Sequence, residues 1–173
     1  TSHLAASAIP NCRAYDPAFA YEVAAIVDEG MREMVEQQRD VFYYVRVMTE
    51  TYAQPSVPGG DLQRLREGIL KGMYKFKGST GSTGAKGSGS TGAKGSGSKV
   101  PRAQLLGSGA ILLEVLKAQE LLESRYGVSA DVWSVTSYTQ LYRDAHEVER
   151  WNRLHSGEKP RMPHITSCLE KTD

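Results

Sequence analysis

Few side chains in this sequence have types and spacing suited to chemistry. Gly107-Ser108-Gly109 follows a strand-like run and opens a helix-like one. In that setting backbone N–H groups can cradle a phosphate. The dinucleotide fingerprint, however, needs a third glycine where Leu112 stands, and an acid after the next strand, which ends in Ser134, Val135 and Thr136. The spacing therefore favours a tight strand-to-helix turn over a ligand loop. His155, His164 and Cys168 are metal-ligating types, but their spacing is wide and proline-rich, with no fourth ligand nearby. Lys86 and Lys94 lie among Gly and Ser as in a phosphate loop, yet each follows Ala and precedes Gly, where the motif requires Gly-Lys-Ser/Thr. His3, taken alone, reads as part of a frayed terminus before the first strand. His146 falls on a charged helical face, Cys12 on a buried strand, and Asp16 at a helix cap. No Ser/His/Asp order, paired catalytic carboxylates or Gly-Asp-Gly metal motif is present. An enzyme using these residues must hold most of its chemistry elsewhere.

The elements that would position these groups follow an α/β order. Ile9 to Tyr15 reads as a short strand. Asp16-Pro17 then reads as a helix start, with Asp16 as cap and Pro17 in the first turn. Phe19, Val23, Ile26, Val27, Met34 and Val35 recur on one helical face, and Asp28, Glu29, Arg32, Glu33 and Glu36 on the other, to an end near Gln38. Val41 to Met48 is β-branched and aromatic on both faces, as in an interior strand of a parallel sheet. This strand–helix–strand order predicts a right-handed βαβ unit. A break from Gln54 to Gly60 precedes a short amphipathic helix over 61–72 and an alternating strand, Met73 to Lys77.

The pattern restarts with a strand at Ala103 to Leu106, a helix from Ala110 to Tyr126 stopped by Gly127, and a strand from Asp131 to Thr136. Ser137 and Gln140 have capping-box spacing at the head of a helix carrying Leu141, Tyr142, Ala145, Val148, Trp151 and Leu154. The second run is again of α/β type.

Between the runs, Gly78 to Ser98 holds 8 of the chain's 17 glycines, with only Ser, Thr, Ala and Lys besides. GSTGAKGS occurs at 81–88 and again at 89–96. With no apolar position the repeat can bury nothing, so a solenoid is excluded, and a flexible linker of ~25 Å end to end is expected. If the flanking strands pair as a hairpin, the repeat forms its tip, natural or engineered, where insertion is tolerated. Net charge is +1 over 173 residues, and −1 without the repeat (19 basic, 20 acidic). That balance argues against nucleic acid as a partner, and the absence of any apolar run near 20 residues against a membrane. Two cysteines and no signal peptide point to a reducing, cytoplasmic setting.

Longer strings carry a resemblance. IPNCRAYDPAFAYE, FYYVRVM, EGILKGMYKFK, QLLGSGAIL, ADVWSVTS and VERWNRLH, in this order, resemble the homodimeric bacterial pyruvate dehydrogenases of the transketolase-like thiamine-diphosphate superfamily. The resemblance implies partial transketolase-like parallel sheets. Residues 1–58 would end the pyrimidine-binding middle domain, 59–77 connect, 78–98 form the linker, and 99–173 open the C-terminal domain. The chain would then be a fragment, inactive alone, lacking the diphosphate and Mg²⁺ motifs and the glutamate that activates the aminopyrimidine. A His-Ser-His run precedes the first strand in the family, its second histidine at the thiamine and substrate pocket. Here the run is Thr1-Ser2-His3, so His3 takes the catalytic position and Thr1 departs from the pattern. Thr49-Glu50-Thr51-Tyr52 stands where the family has Asn-Glu-Asn-Tyr. The implied reaction is decarboxylation of pyruvate with reductive acetylation of a lipoyl arm. Its implied cofactors are thiamine diphosphate and Mg²⁺, and its partners a second subunit and the dihydrolipoyl acetyltransferase component. The alternative is a non-catalytic α/β scaffold, or an engineered fusion of two enzyme segments.

Overall fold

A computed structural model describes residues 2–58, 60–79 and 101–170. The repeat beyond Ser79, with the linker expected there, lies outside these residues.

The chain opens with a six-residue helix, α1 (Ser2–Ser7), and then strand β1 (Cys12–Tyr15). His3 therefore lies on a helical turn, not in a frayed tail. Helix α2 (Ala20–Met31) crosses to strand β2 (Phe42–Val45), which pairs parallel with β1 from Cys12↔Phe42 to Tyr15↔Val45. This is the expected βαβ unit. Helix α3 (Leu62–Lys71) is capped by the Asp61 carboxylate, which accepts from Arg64 N at 3.0 Å, and it ends on left-handed Gly72. Strand β3 (Met73–Lys77), strand β4 (Arg102–Gly107), helix α4 (Ile111–Tyr126), strand β5 (Ser129–Val135), helix α5 (Tyr138–Leu154) and helix α6 (His164–Leu169) complete the order. Sequence periodicity did not announce α6.

Several expectations need correction. Helix α2 begins at Ala20, three residues after the expected Pro17 start. The Glu22 side chain reaches back to accept from Ala18 N and Phe19 N, so it supplies the cap that Asp16 was expected to give. The C-terminal part of the apolar stripe is not buried: Val27 and Val35 are 50% and 59% exposed, while Glu33 is 6% exposed. The helix widens into a π turn at Arg32–Glu36, which rotates its last residues off the stripe. Hydrogen bonds from Tyr43 Oη (2.6 Å) and Arg39 draw Glu33 inward. Strand β2 is not interior among the described residues. It pairs with β1 alone, and its exposure alternates.

Strands β3 and β4 do not form a hairpin. The order is β3-β5-β4, with β3 antiparallel and β4 parallel to the central β5. Strand β5 is the one buried on both faces, from Ala130 to Val135, as suits the middle strand. Val132 packs with Leu112, Ala18 and Phe19 on one face. On the other, Trp133 and Val135 pack with Met73, Leu141, Ile165 and Leu169. The capping box at α5 is half made. Ser137 Oγ accepts from Gln140 N at 3.0 Å, but Ser137 N donates to Gly72 O at 3.1 Å, leaving Gln140 Oε1 buried without a partner.

The two runs share a core. Ala18 and Phe19 of the first pack with Leu112 and Val132 of the second, and Tyr15 and Ile26 pack with Ile69 of α3 and Tyr74 of β3. At their seam the carboxylate of fully buried Glu22 accepts from Tyr74 Oη (2.7 Å) and Ser134 Oγ (2.6 Å). Tyr21 and Tyr74 hydroxyls meet at 2.5 Å. Burial and then the Glu22 charge push the Tyr74 phenol above its ordinary range.

Candidate functional site at the strand ends

The C-terminal ends of β1, β2, β4 and β5 converge. Asp16 directly follows β1, Arg46 follows β2, Ser108 and Gly109 follow β4, and Thr136 follows β5. Asp16 N donates to Thr136 O at 2.7 Å, and Gly109 N to Asp16 O at 3.1 Å. The Asp16 carboxylate takes a two-pronged contact from Arg46, Nε to Oδ1 at 3.0 Å and Nη2 to Oδ2 at 2.5 Å. Ser108 Oγ lies 3.3 Å from the same Oδ2. In open α/β sheets this end is where ligands bind.

Gly107-Ser108-Gly109 is thus the tight turn, spent on Asp16. Gly109 has φ +52, and a Cβ there would lie 2.9 Å from Asp16 Oδ1, so both conformation and space call for glycine. Asp16, taken from sequence for a cap, is the hub joining four strand ends.

His3 stands beside this hub. Its ring meets Tyr44 edge-on, centroids 5.5 Å apart. Its Nε2 is buried and has no hydrogen-bond partner. Burial lowers its pKa; Asp16 opposes that shift and Arg46 adds to it. At neutral pH the ring is uncharged, and it can accept or pass a proton at Nε2. A buried orphan nitrogen is costly unless something is to meet it, which fits the polar edge of a bound cofactor or substrate. Tyr44 and Arg46 were not singled out from sequence. The available signal was Arg46, the sole charge in the run Val41 to Met48.

The other candidates are spent on structure. His155 stacks on Trp151 at 4.4 Å, with Nδ1 2.8 Å from Trp151 O. His164 Nε2 lies 2.9 Å from Met73 O and 3.6 Å from Cys168 Sγ, one helical turn on. Among the described residues no group of three or more His, Cys, Asp or Glu could hold a metal ion. His146 sits at the surface on Tyr142 and 3.8 Å from Glu149. Cys12 is buried, and burial pushes its thiol up. Thr49, Glu50 and Thr51 are exposed, while Tyr52 Oη donates to Ala18 O. A cleft of about 630 Å³ between α3, β3 and α6 shares no lining residue with the His3 corner. Its Lys75 is already paired to Asp131 at 3.0 Å. No helix among the described residues is long and apolar enough to cross a membrane.

Comparison with known proteins adds the family setting. Residues 1–55 match the pyruvate dehydrogenase E1 component middle domain, and residues 93–171 the transketolase-like C-terminal domain. The pyruvate dehydrogenase E1 component of Pseudomonas aeruginosa is 48% identical over 97% of this chain. Those of Escherichia coli and Cupriavidus necator are 44% and 43% identical over 97% and 98%. In each case the chain spans 17% of the relative's length.

Proposed function

The chain belongs to the pyruvate dehydrogenase E1 component family, and on that premise we propose that it contributes His3 and its supporting strand ends to a thiamine-diphosphate-dependent decarboxylation of pyruvate. The observation that carries this reading is the buried, unpartnered Nε2 of His3 beside the convergent strand ends.

Residues 1–58 serve as the end of a pyrimidine-binding domain, 59–77 as a connection, and 99–173 as the start of a C-terminal domain. Thiamine diphosphate, when bound, supplies the nucleophilic carbon and the electron sink. This chain's residues supply orientation and a proton relay. Tyr44 fixes the His3 ring, burial keeps it neutral, and Nε2 accepts or returns a proton at the reacting substrate. The Arg46–Asp16–Ser108 contacts close the strand ends beside it and keep competing donors occupied. The described residues offer no carboxylate cluster for Mg²⁺, and no step is derived through it. The wider reading has a homodimer passing its acetyl group to the lipoyl arm of the dihydrolipoyl acetyltransferase component. The compartment is the cytoplasm, in keeping with two unbridged cysteines. Alone, the chain is inactive.

A chimera tests this. Residues 1–173 replace the matching stretch of the Pseudomonas aeruginosa relative, and pyruvate decarboxylation is followed with an artificial electron acceptor. The expected result is an active chimera that loses at least tenfold in kcat on His3→Gln. A folded chimera without activity, or one indifferent to His3→Gln, overturns the proposal.

A further inference from the structure

Helix α1 has little to hold it. It is six residues long, under two turns, and isolated helices of that length do not persist in water. Ala6 is its buried apolar residue, while Leu4 is 78% exposed. Yet His3, in its first turn, is held against Tyr44.

The anchor comes from the other end of the sequence. Arg143 lies on α5, and its guanidinium donates to three main-chain carbonyls of the α1–β1 connection: Cys12 O (2.6 Å), Ile9 O (2.7 Å) and Ser7 O (3.4 Å). Ser7 is the last residue of α1, so one of these carbonyls closes the helix that carries His3. Among the described residues no carboxylate pairs with Arg143; its donors are spent on this turn. The planar fork spreads its donors over separate nitrogens, so Nη1 reaches Cys12 O while Nη2 reaches Ile9 O and Ser7 O; a lysine has its three donors on one nitrogen.

We propose that Arg143 is a positioning residue for His3, setting helix α1 through its three carbonyl contacts so that the imidazole rests on Tyr44. The functional weight of this arrangement rests on the reading of His3 given above; the geometry does not. A second tie between the same elements, Ser137 Oγ to Ala14 O at 2.6 Å, serves as an internal control, because it grips β1 without touching α1.

The test is a proton NMR titration of the four histidines in the 173-residue chain, with His3 assigned by His3→Gln. Loss of the anchor lets the His3 ring leave its half-buried position, so in Arg143→Met its pKa rises towards about 6.5. Arg143→Lys falls between, and Ser137→Ala leaves His3 unmoved. An unshifted His3 in folded Arg143→Met overturns the proposal, as does an equal shift in Ser137→Ala. If Arg143→Met does not fold, Arg143→Lys decides: a raised His3 pKa supports the anchor, an unchanged one removes it. The titration reads position alone. An inactive chimera would defeat the functional reading and leave this result standing, and the reverse also holds.

Discussion

Strand β5 is buried from Ala130 to Val135, with a strand on each side and helices on both faces, whereas β2 leaves Phe42 and Tyr44 44% and 36% exposed beside a single partner strand. The three-stranded sheet is held by apolar burial. The two-stranded pair, which carries the His3 corner, shares the Tyr15–Ile26 and Ala18–Phe19 clusters with it and is fixed to it besides by polar ties: Glu22 to Ser134, Asp16 to Thr136, Ser137 to Ala14, and Arg143 to the α1 turn. Apolar packing fills space without direction, while hydrogen bonds fix position. The corner that holds the His3 ring against Tyr44 is the one tied by directional contacts.

Removing the seam is the strongest way to break this contrast. Glu22 accepts from two backbone amides and two hydroxyls, all buried, so Glu22→Ala leaves four donors without an acceptor. The expected loss is about 3–5 kcal/mol, with Glu22→Gln losing about half of that. Urea unfolding should also change from one transition to two, because the sheets no longer cooperate. A loss under 1 kcal/mol in a single transition would show that apolar contacts alone join them.

Core truncations sharpen the same contrast. Leu112 is fully buried against Val132, and Leu112→Ala should cost about 2–4 kcal/mol. Val45→Ala, on the half-buried β2, should cost about 1 kcal/mol. Equal costs by urea denaturation would mean that β2 is buried as deeply as β5 in solution.

Acid should separate the regions next. Burial alone would raise the Asp131 carboxyl, but hydrogen bonds from Lys75, the Ser79 amide and Arg102 prevail and hold it at about 2, against an ordinary 3.8. Stability from this group is complete above pH 3.8 and is lost as pH falls through about 2. It amounts to about 1–2 kcal/mol once solvent screening of the two cations is allowed for. His3 has the lowered pKa of a base buried neutral, so its contribution is present above about 6.5 and declines as pH falls below it. Hydrogen exchange should therefore show β1–β2 loosening as pH falls below about 6.5 and β3–β5–β4 only below pH 4. Asp131→Asn should abolish the lower step.

Much of this was legible in the residues. Strand positions, the βαβ order, the Gly127 stop and the Ser137 cap follow from local periodicity and end chemistry, which depend on neighbours in sequence. What was not legible depends on distant partners. Asp16 looked like a cap because Asp-Pro before a helix usually is one; its role is set by Arg46 and Ser108, 30 and 92 residues away. Glu33 looked solvent-facing until a π turn and Tyr43 drew it in. The β3–β4 hairpin failed because adjacency across the repeat says nothing about a third strand that pairs better with both. His3 was placed at the site by family resemblance. Its geometry required α1, which the sequence pattern did not announce.

The smallest expected effect bears on the exposed side of the contrast. Phe42 and Tyr44 share one face of β2, and Phe42, like Val47 and Met48 beyond the strand, leaves apolar surface exposed. Burial of that surface contributes little to folding in this chain, so Phe42→Thr should change stability by no more than about 0.5 kcal/mol. The same surface makes water contact costly and invites association with another molecule. Phe42→Thr should therefore lower concentration-dependent light scattering while the urea midpoint stays fixed. Tyr44 is left intact in this variant, so the His3 titration should also be unchanged. A Phe42→Thr chain that loses 2 kcal/mol would place β2 in a packed core and remove the difference between the two sheets.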